Sequence, residues 1–251
     1  CAKVIGDIRD QSNCGCCWAF GAAESASDRA CIATKGEILA PFSAQDVCFN
    51  APNKGTDGCQ GNDLYTPWDF IHRYGVVTGG QTWYDEASPK SDPFDDERDS
   101  FCASFSMPHC FHHGPENDSP YPAENEPGCP SQTAPNNGFG FDACDANSTV
   151  KSYSGDKYTF DGSVTDFFGE DKMMESIMTD GPLEAAFVVY EDFEAYAGGI
   201  YSHVTGANIG GHAVKIVGWG VEDGTKYWKI ANSWNPYWGE DGYFRILKGV
   251  N

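Results

Sequence analysis

A single stretch near the N-terminus decides the fold of this chain: Gln11-Ser12-Asn13-Cys14-Gly15-Cys16-Cys17-Trp18-Ala19-Phe20. The residues after Cys17 are rich in alanine and contain no proline and few β-branched side chains, so they predict a helix that ends near Ile32. Cys17 then lies at the N-terminus of that helix, where unpaired backbone N–H groups and the helix dipole favour a thiolate. A thiolate is a nucleophile, so we expect a base elsewhere in the chain.

Two downstream segments contain a candidate base and a candidate group to orient it. His212 lies in Gly-Gly-His-Ala-Val-Lys-Ile-Val-Gly-Trp-Gly, and Asn232 lies in Tyr-Trp-Lys-Ile-Ala-Asn-Ser-Trp. A cysteine, a histidine and an asparagine, each inside an extended characteristic segment, indicate a catalytic nucleophile with its base. The three segments resemble the papain-type cysteine peptidases and, more narrowly, the cathepsin B-like members of that family.

The resemblance covers nearly the whole chain and implies an α+β, papain-like two-lobe fold. In that fold, the active-site cleft lies between a helical left lobe and a β-barrel-like right lobe. The residues agree, because helix signals come first and strand signals second. We expect one peptidase domain over residues 1–251, with a helical lobe at about 9–150, an occluding-loop-like insertion at about 102–144 and a β-rich lobe at about 151–251.

Local patterns predict the individual elements. Beyond the Cys17 helix, the helix signals are Ser43-Ala44-Gln45-Asp46, the stretch from Pro67 to Arg73 with Gly75 after it, and Glu170 to Met178 closed by Gly181-Pro182. Strand-like runs cover Leu183 to Tyr190, His212 to Trp219, Tyr227 to Ala231 and Gly242 to Leu247.

The resemblance assigns a role to each catalytic residue. Cys17 is the expected nucleophile, His212 the base and Asn232 the residue that orients the imidazole. The Gln11 side chain and the Cys17 backbone N–H would stabilise the oxyanion. Trp234 matches the family position that shields the histidine and asparagine from water. The remaining expected substrate contacts are cleft glycines and pocket walls: Gly15, Gly61 and Gly211, and Leu64, Ala186 and Ala213.

His112-His113 resembles the histidine pair of the cathepsin B occluding loop, which binds the C-terminal carboxylate of a substrate and gives dipeptidyl carboxypeptidase action. Asp10 matches the residue that tethers the first histidine. The second tether of the family is an ion pair, and its positions here, near Asp118 and at Tyr237, do not carry it. We therefore expect a looser loop and a larger share of endopeptidase activity. An alternative is a zinc site built from Cys110 and the two histidines, which lacks a fourth ligand.

The chain has 11 cysteines, and this high, odd count indicates disulfides, an oxidising compartment and at least one unpaired thiol. The pairs that the resemblance implies are Cys1–Cys31, Cys14–Cys59, Cys102–Cys144 and Cys110–Cys129. It gives Cys48 no clear partner and leaves the Cys102–Cys144 pair open. Cys16 replaces the usual Ser or Ala, either as a small buried residue or as a redox-sensitive neighbour of Cys17. A dithiol motif at Cys14-x-x-Cys17 is a further alternative, but the flanking strands that it needs are missing from the pattern.

Composition limits the partners. The net charge of −21 disfavours nucleic acid and anionic membranes, and no apolar run reaches membrane-spanning length. Sequons at Asn117 and Asn147, and the absence of an N-terminal signal pattern, suggest a processed glycoprotein of the secretory route, lysosomal, vacuolar or secreted. By resemblance, we expect peptide and protein substrates, the chain's own propeptide and cystatin-type inhibitors as partners, a monomer, and no metal or organic cofactor. The rival hypothesis is a catalytically silent homologue that binds peptides.

Overall fold

Five of the six described α-helices precede the first strand and the strands cluster at the end of the chain, so the α+β prediction is confirmed. The computed structural model describes residues 1–52, 58–81, 93–112, 119–123, 126–129 and 143–249. The α-helices are α1 (Ala2–Ile5), α2 (Cys17–Ala33), α3 (Ala44–Asn50), α4 (Tyr65–Tyr74), α5 (Glu170–Asp180) and α6 (Glu191–Glu194), and two 3₁₀ turns cover Asp95–Ser100 and Ser154–Asp156. The strands are β1 (Leu183–Tyr190), β2 (Ile200–Tyr201), β3 (Asn208–Glu222), β4 (Thr225–Ala231) and β5 (Tyr243–Leu247).

Helix α2 is the central element of the first part of the chain. Its alanine, glycine and serine residues are small enough for neighbours to approach from all sides, and most of them are buried. It packs on α3 and α4, and on β1 and β3 of the sheet. At 17 residues it is the longest helix, and among the described residues no helix has the length and apolarity needed to cross a bilayer.

The ends of α3 and α4 follow from local chemistry. The Ser43 hydroxyl accepts the Asp46 N–H at 2.9 Å, as the Ser-x-x-Asp signal predicts. Helix α4 begins at Tyr65, two residues before the predicted start, so Pro67 falls in the first turn, where its missing N–H has no intrahelical partner to lose. Gly75 ends the helix at a φ of 76°, a conformation that glycine adopts without strain.

The five strands form one mixed sheet in the order β1-β3-β4-β5-β2. Only the β2–β5 pair is parallel, and the other neighbours in this described sheet are antiparallel. Within the described residues the sheet is open, with β1 and β2 at its edges, rather than the barrel-like lobe that the resemblance implies. The long strand β3 faces β1 so that Ala213 lies opposite Ala186 and His212 opposite Phe187.

Two hydrophobic clusters meet at β3. The first surrounds α2 and includes Trp18 and Phe20. The second is rich in aromatic residues and packs Phe193 of α6 against side chains of the strands. Successive residues of a strand point to opposite faces of the sheet. Accordingly, Ala213 belongs to the first cluster and Val214 to the second. The start of α2 and the middle of β3 therefore lie side by side at the boundary between the clusters.

Four disulfides cross-link the described chain: Cys1–Cys31, Cys14–Cys59, Cys102–Cys144 and Cys110–Cys129. These are the pairs that the resemblance implies. The bond between Cys14 and Cys59 removes the dithiol alternative at Cys14-x-x-Cys17, and the bond of Cys110 leaves that residue unable to ligate zinc as a thiolate. Cys16, Cys17 and Cys48 are not disulfide-bonded in the structure.

Candidate active site

Cys17 is the first residue of α2 and is partly exposed. Burial raises the pKa of its thiol to about 11, although the backbone N–H of Ala213, which faces the sulfur, acts in the opposite direction. The helix N-terminus is present as predicted, and the backbone N–H of Trp18 in its first turn lowers the pKa of Cys17, but burial has the larger effect.

His212 is buried in the middle of β3, next to Ala213. Its Nε2 lies 2.7 Å from Oδ1 of Asn232, and the ring of Trp234 stacks on the imidazole with the centroids 5.0 Å apart. Burial lowers the pKa of His212 to about 4, while the bond to Asn232 opposes this shift and the nearby His112 adds to it. Sequence analysis predicted both neighbours, Asn232 as the orienting residue and Trp234 as the shield.

The opposite pKa shifts of Cys17 and His212 have one common cause, because a single charge is poorly solvated in this site. A thiolate and an imidazolium together carry no net charge, and their attraction offsets part of the desolvation that each suffers alone. Taken one at a time, the neutral thiol and the neutral imidazole are therefore the forms that this site favours.

Ser233 connects Asn232 to Gln11 near the N-terminus. Its backbone N–H donates to Oδ1 of Asn232 at 2.9 Å, and its hydroxyl donates to Oε1 of Gln11 at 2.7 Å. The Gln11 amide nitrogen in turn donates to the carbonyl of Cys14 at 2.8 Å. Sequence analysis missed this positioning role of Ser233, although its place inside the Asn-Ser-Trp segment was a signal.

The predicted cleft glycines lie beside the Cys14–Cys59 disulfide and on β3. The Gly61 N–H donates to the Gly15 carbonyl at 3.0 Å, which brings these two segments together. A Cβ added to Gly61 or to Gly211 would meet no atom within 4 Å, so open space adjoins both backbones. Gly61 also has a φ of +84°, a conformation that other residues rarely adopt.

A cavity of about 880 Å³ adjoins the site. Leu64 and Ala186 line it as predicted, whereas Ala213 does not and is instead buried in the cluster against which Cys17 packs. Sequence analysis missed two lining residues, Trp68 and Glu184. The Trp68 indole donates to Oε2 of Glu184 at 2.7 Å, and burial raises the pKa of this carboxyl well above its usual range.

The predicted loop tether is present and has a second histidine. His112 Nε2 lies 2.6 Å from Oδ1 of Asp10, and His109 Nδ1 lies 3.2 Å from Oδ2 of the same carboxylate. Asp10 is buried and also accepts hydrogen bonds from the backbone N–H groups of Ser12 and Cys110. Sequence analysis did not predict the contact of His109 with Asp10.

His112 also approaches the catalytic centre through an aromatic stack. Its ring lies parallel to that of Trp234, with the centroids 5.9 Å apart, and Trp234 stacks on His212. His112 is buried against Asp10 and Trp234 rather than exposed as a ligand-binding group.

At the position of the missing ion pair, Tyr237 makes an aromatic contact instead. Its ring meets that of Tyr121 edge-on at 5.6 Å, and Tyr121 stacks on His109 at 4.8 Å.

Three residues with predicted roles, His113, Asn117 and Asp118, lie outside the described residues. The second sequon residue, Asn147, is exposed in a turn that the structure describes. Its glycosylation stays a prediction.

The model of the "Papain family cysteine protease" family matches residues 1–251. Cathepsin B-like cysteine proteinase 6 of Caenorhabditis elegans is 40% identical over 97% of this chain and 58% of its own length. A cathepsin B-like cysteine proteinase of Schistosoma japonicum is 42% identical over 98% of this chain and 65% of its own length. The chain thus spans about three fifths to two thirds of these relatives.

A solved structure agrees with the sequence relatives. The procathepsin B S9 structure from Trypanosoma congolense superposes with a TM-score of 0.71, at 31% identity, over 99% of this chain and 68% of that one. The digestive procathepsin L 3 of Tenebrio molitor, at 20% identity and a TM-score of 0.59, shows the shared fold alone. With a family model that matches every residue, relatives at 40% identity or above and this structural neighbour, the chain belongs to the papain family of cysteine proteases and is cathepsin B-like.

Proposed function

We propose that this chain is a cysteine peptidase that hydrolyses peptide bonds through an acyl-thioenzyme. The observation that carries the proposal is the buried pair of His212 and Asn232, in which Nε2 of the imidazole lies 2.7 Å from Oδ1 of the amide. His212 is on β3, and the backbone N–H of the next residue, Ala213, faces the Cys17 sulfur. A nucleophile, a base and a residue that orients the base are the parts that acyl transfer requires.

In the acylation step, the Cys17 thiol gives its proton to His212. Because Nε2 of the imidazole is bonded to Asn232, we assign this proton to Nδ1. The sulfur attacks the substrate carbonyl carbon, and the Cys17 N–H and the Gln11 amide stabilise the oxyanion. The C–N bond then breaks, and His212 protonates the leaving amine.

In the deacylation step, His212 takes a proton from water, and the hydroxide attacks the thioester carbon. The C–S bond breaks, the new carboxylic acid leaves, and the thiol of Cys17 is restored by the proton held on His212. The buried Trp234 ring covers the imidazole throughout, which keeps the His212–Asn232 bond away from competing water.

We infer that the enzyme also removes dipeptides from the C-terminus, beside its endopeptidase activity. Support comes from the loop segment, which Asp10 and the Cys110–Cys129 disulfide hold to the body next to Trp234. A loop at that place shortens the cleft, and basic groups on it would bind a substrate carboxylate. His112 is engaged with Asp10, so we expect it to position the loop, while His113 keeps its predicted carboxylate-binding role.

The cavity lined by Leu64 and Ala186 is the proposed pocket for the substrate side chain next to the cleaved bond on its N-terminal side. Its wall is mostly apolar, with Ile71, Phe160 and Met173 among the lining residues, so we expect a preference for apolar or aromatic side chains.

The remaining partners and the location follow from the family. We propose peptide and protein substrates, inhibition by cystatin-type proteins, and a monomer in a lysosomal, vacuolar or secreted setting. A removable propeptide is also proposed, and the two structural neighbours described above are both proforms.

An active-site titration tests the peptidase proposal. The folded, reduced chain is treated with an epoxysuccinyl peptide, and the labelled residue is identified by mass spectrometry. We expect one label per molecule on Cys17 and a matching loss of activity, with Cys17→Ala as the unlabelled control. A folded sample that neither takes the label nor cleaves peptides would instead support the silent, peptide-binding homologue.

A pair of substrates tests the balance of activities at pH 5 and pH 7. One is a blocked internal peptide and the other carries a free C-terminal carboxylate. We expect dipeptide release from the second to dominate at pH 5, where an imidazole with its ordinary pKa is charged. Faster turnover of the blocked substrate at both pH values would contradict the proposed dipeptidyl carboxypeptidase activity. Endopeptidase activity alone would then describe the enzyme.

A further inference from the structure

Two thiols that the proposed mechanism does not use meet in the core beneath the nucleophile. Cys16 is the N-cap residue of α2, directly before Cys17, and Cys48 lies on α3. Both side chains are fully buried, and the thiol of Cys16 is hydrogen-bonded to that of Cys48. The sulfurs of Cys14, Cys16 and Cys48 all lie within 4.8 Å of one another.

Three clustered sulfurs could also indicate a metal site, but this cluster does not suit one. Cys14 is bonded to Cys59, and a disulfide sulfur is not a thiolate ligand. Only two thiols remain, whereas structural zinc takes four ligands. The chemistry that two adjacent thiols offer without a metal is oxidation to a disulfide.

We propose that Cys16 and Cys48 form a fifth disulfide, which ties the start of the nucleophile's helix to α3. The co-reactant is a small disulfide such as oxidised glutathione. Two exchange steps convert the two thiols and that oxidant into one protein disulfide and two small thiols, so electrons and protons balance. Rotation of both side chains can bring sulfurs that start within 4.8 Å to the roughly 2 Å length of an S–S bond.

Burial sets the time at which this bond forms. Neither thiol is reached by solvent in the folded chain, so the oxidant acts before α2 and α3 close on each other. Burial, together with the neighbouring Cys48, also raises the pKa of Cys16 well above its usual range, which makes it inert once folded. The same burial would protect the finished bond from external reductants.

The bond would hold the backbone that presents Cys17. The Cys16 N–H donates to the Cys14 carbonyl at 2.7 Å, and the Cys16 carbonyl accepts the Ala19 N–H at 2.8 Å. Cys16 therefore links the Cys14–Cys59 disulfide to the first turn of α2. A disulfide at Cys16, in addition to the one at Cys14, would therefore hold the first turn of α2 from two sides. The inference does not depend on the proposed peptidase activity.

Linkage mapping tests the proposal on the chain secreted by a eukaryotic host. The protein is denatured with iodoacetamide but without reductant, digested with trypsin and sequenced by mass spectrometry. Cleavage after Lys54 separates the peptide of Cys48 from that of Cys59. We expect Cys48 linked to Cys16 and Cys59 linked to Cys14. Alkylation of both Cys16 and Cys48, or a bond from Cys48 to Cys14, would overturn the proposal.

Serine variants give a second, independent readout. In Cys16→Ser, Cys48 should become alkylated on denaturation, and in Cys48→Ser, Cys16 should. Loss of the cross-link should lower Tm by about 5–10 °C in either single variant, with little further loss in the double variant. Two results together would contradict the Cys16–Cys48 bond. The decreases in Tm of the single variants would add in the double variant, and Cys48 would still resist alkylation on denaturation of Cys16→Ser.

Discussion

Two buried carboxylates, Asp10 beside the catalytic centre and Glu24 on α2, both face basic groups, yet their pKa values move in opposite directions. Burial opposes the ionisation of Asp10, but the charge of His112 and hydrogen bonds from His109 and His112 outweigh it and hold the pKa well below its usual range. Burial also opposes the ionisation of Glu24, and here it prevails over the attraction of Lys215 and raises the pKa to about 7.

The number and closeness of the donors explain the difference. Asp10 has imidazole nitrogens at 2.6 and 3.2 Å and accepts backbone N–H groups as well. For Glu24, the nearest charged nitrogen is Nζ of Lys215 at 3.5 Å, and that ammonium is closer to Asp28, at 3.0 Å. Burial therefore does not decide the charge state of a carboxylate by itself. Nearby opposite charge, together with hydrogen bonds made directly to the charged form, decides it at Asp10.

Lys215 and His212 fit the same comparison, and they lie three residues apart on β3. Fixed carboxylates keep Lys215 charged, because they raise its pKa although burial lowers it. For His212, burial prevails over the hydrogen bond to Asn232 and lowers the pKa to about 4.

Removal of Lys215 should give the largest effect. Lys215→Met leaves Glu24 and Asp28 buried without their cation, so we expect a loss of about 3–5 kcal/mol in the free energy of unfolding at pH 7. The loss should shrink at pH 5, where both carboxyls can take up protons. Urea unfolding at the two pH values measures it. Restoration by the triple variant with Glu24→Gln and Asp28→Asn is the control, and an equal loss at both pH values would contradict the buried-charge explanation.

Glu24 should make the folded chain more stable in acid than at neutral pH. Its folded pKa of about 7 lies above the unfolded value, so the folded state binds the extra proton and stability falls as pH rises from about 4.5 to 7. The fall should amount to about 2–4 kcal/mol from this group. Urea unfolding across this range, with Glu24→Gln as the variant that flattens it, checks the sign. Stability that rises over the range because of Glu24 would refute it.

Asp10 should show the opposite dependence on pH. Its lowered pKa means that its stabilisation is fully present above the unfolded value near 4 and is lost as pH falls below that. Asp10→Asn keeps the shape but loses the charge, so we expect about 2 kcal/mol of destabilisation at pH 5 and a clearly smaller loss at pH 2. Dipeptide release should fall with the loop tether while internal cleavage persists. If both activities fell equally, Asp10 would not act through the loop.

The aromatic contact at Tyr237 should have the smallest effect. Tyr237→Ala removes its edge contact with Tyr121, so we expect about 1 kcal/mol of lost stability and a few-fold rise in internal cleavage. Tyr237→Phe keeps the ring and is the matched control. Identical behaviour of the alanine and phenylalanine variants would mean that the ring does not hold the loop.

The sequence predicts the helices and strands well where the signals for them are local. The Ser43 cap, Gly75 and the Gly181-Pro182 pair predicted helix ends to within a few residues, and runs of strand-favouring residues predicted the four longer strands. Family motifs then brought Cys17, His212 and Asn232 into one site.

Contacts that join distant segments could not be predicted in the same way. His109 meets Asp10 across 99 residues of sequence, and Glu24 meets Lys215 only because α2 packs on β3. From a local pattern, a charged residue is predicted to be solvated. Whether the charge is buried depends on tertiary packing, which the local sequence does not specify. For Cys17, sequence indicates the helix terminus that favours a thiolate but not the burial that raises the pKa of the thiol.

One measurement tests most directly whether Cys17 is activated by His212: the rate of alkylation of Cys17 by iodoacetamide from pH 4 to pH 10, in the parent chain and in His212→Ala. Without the imidazole, burial keeps the thiol protonated, so we predict that the variant reacts at least about 100-fold more slowly at pH 6 and recovers only in strong alkali. Circular dichroism would verify that both proteins are folded. Equal rates at pH 6 would contradict the account, because Cys17 would then be reactive without its base.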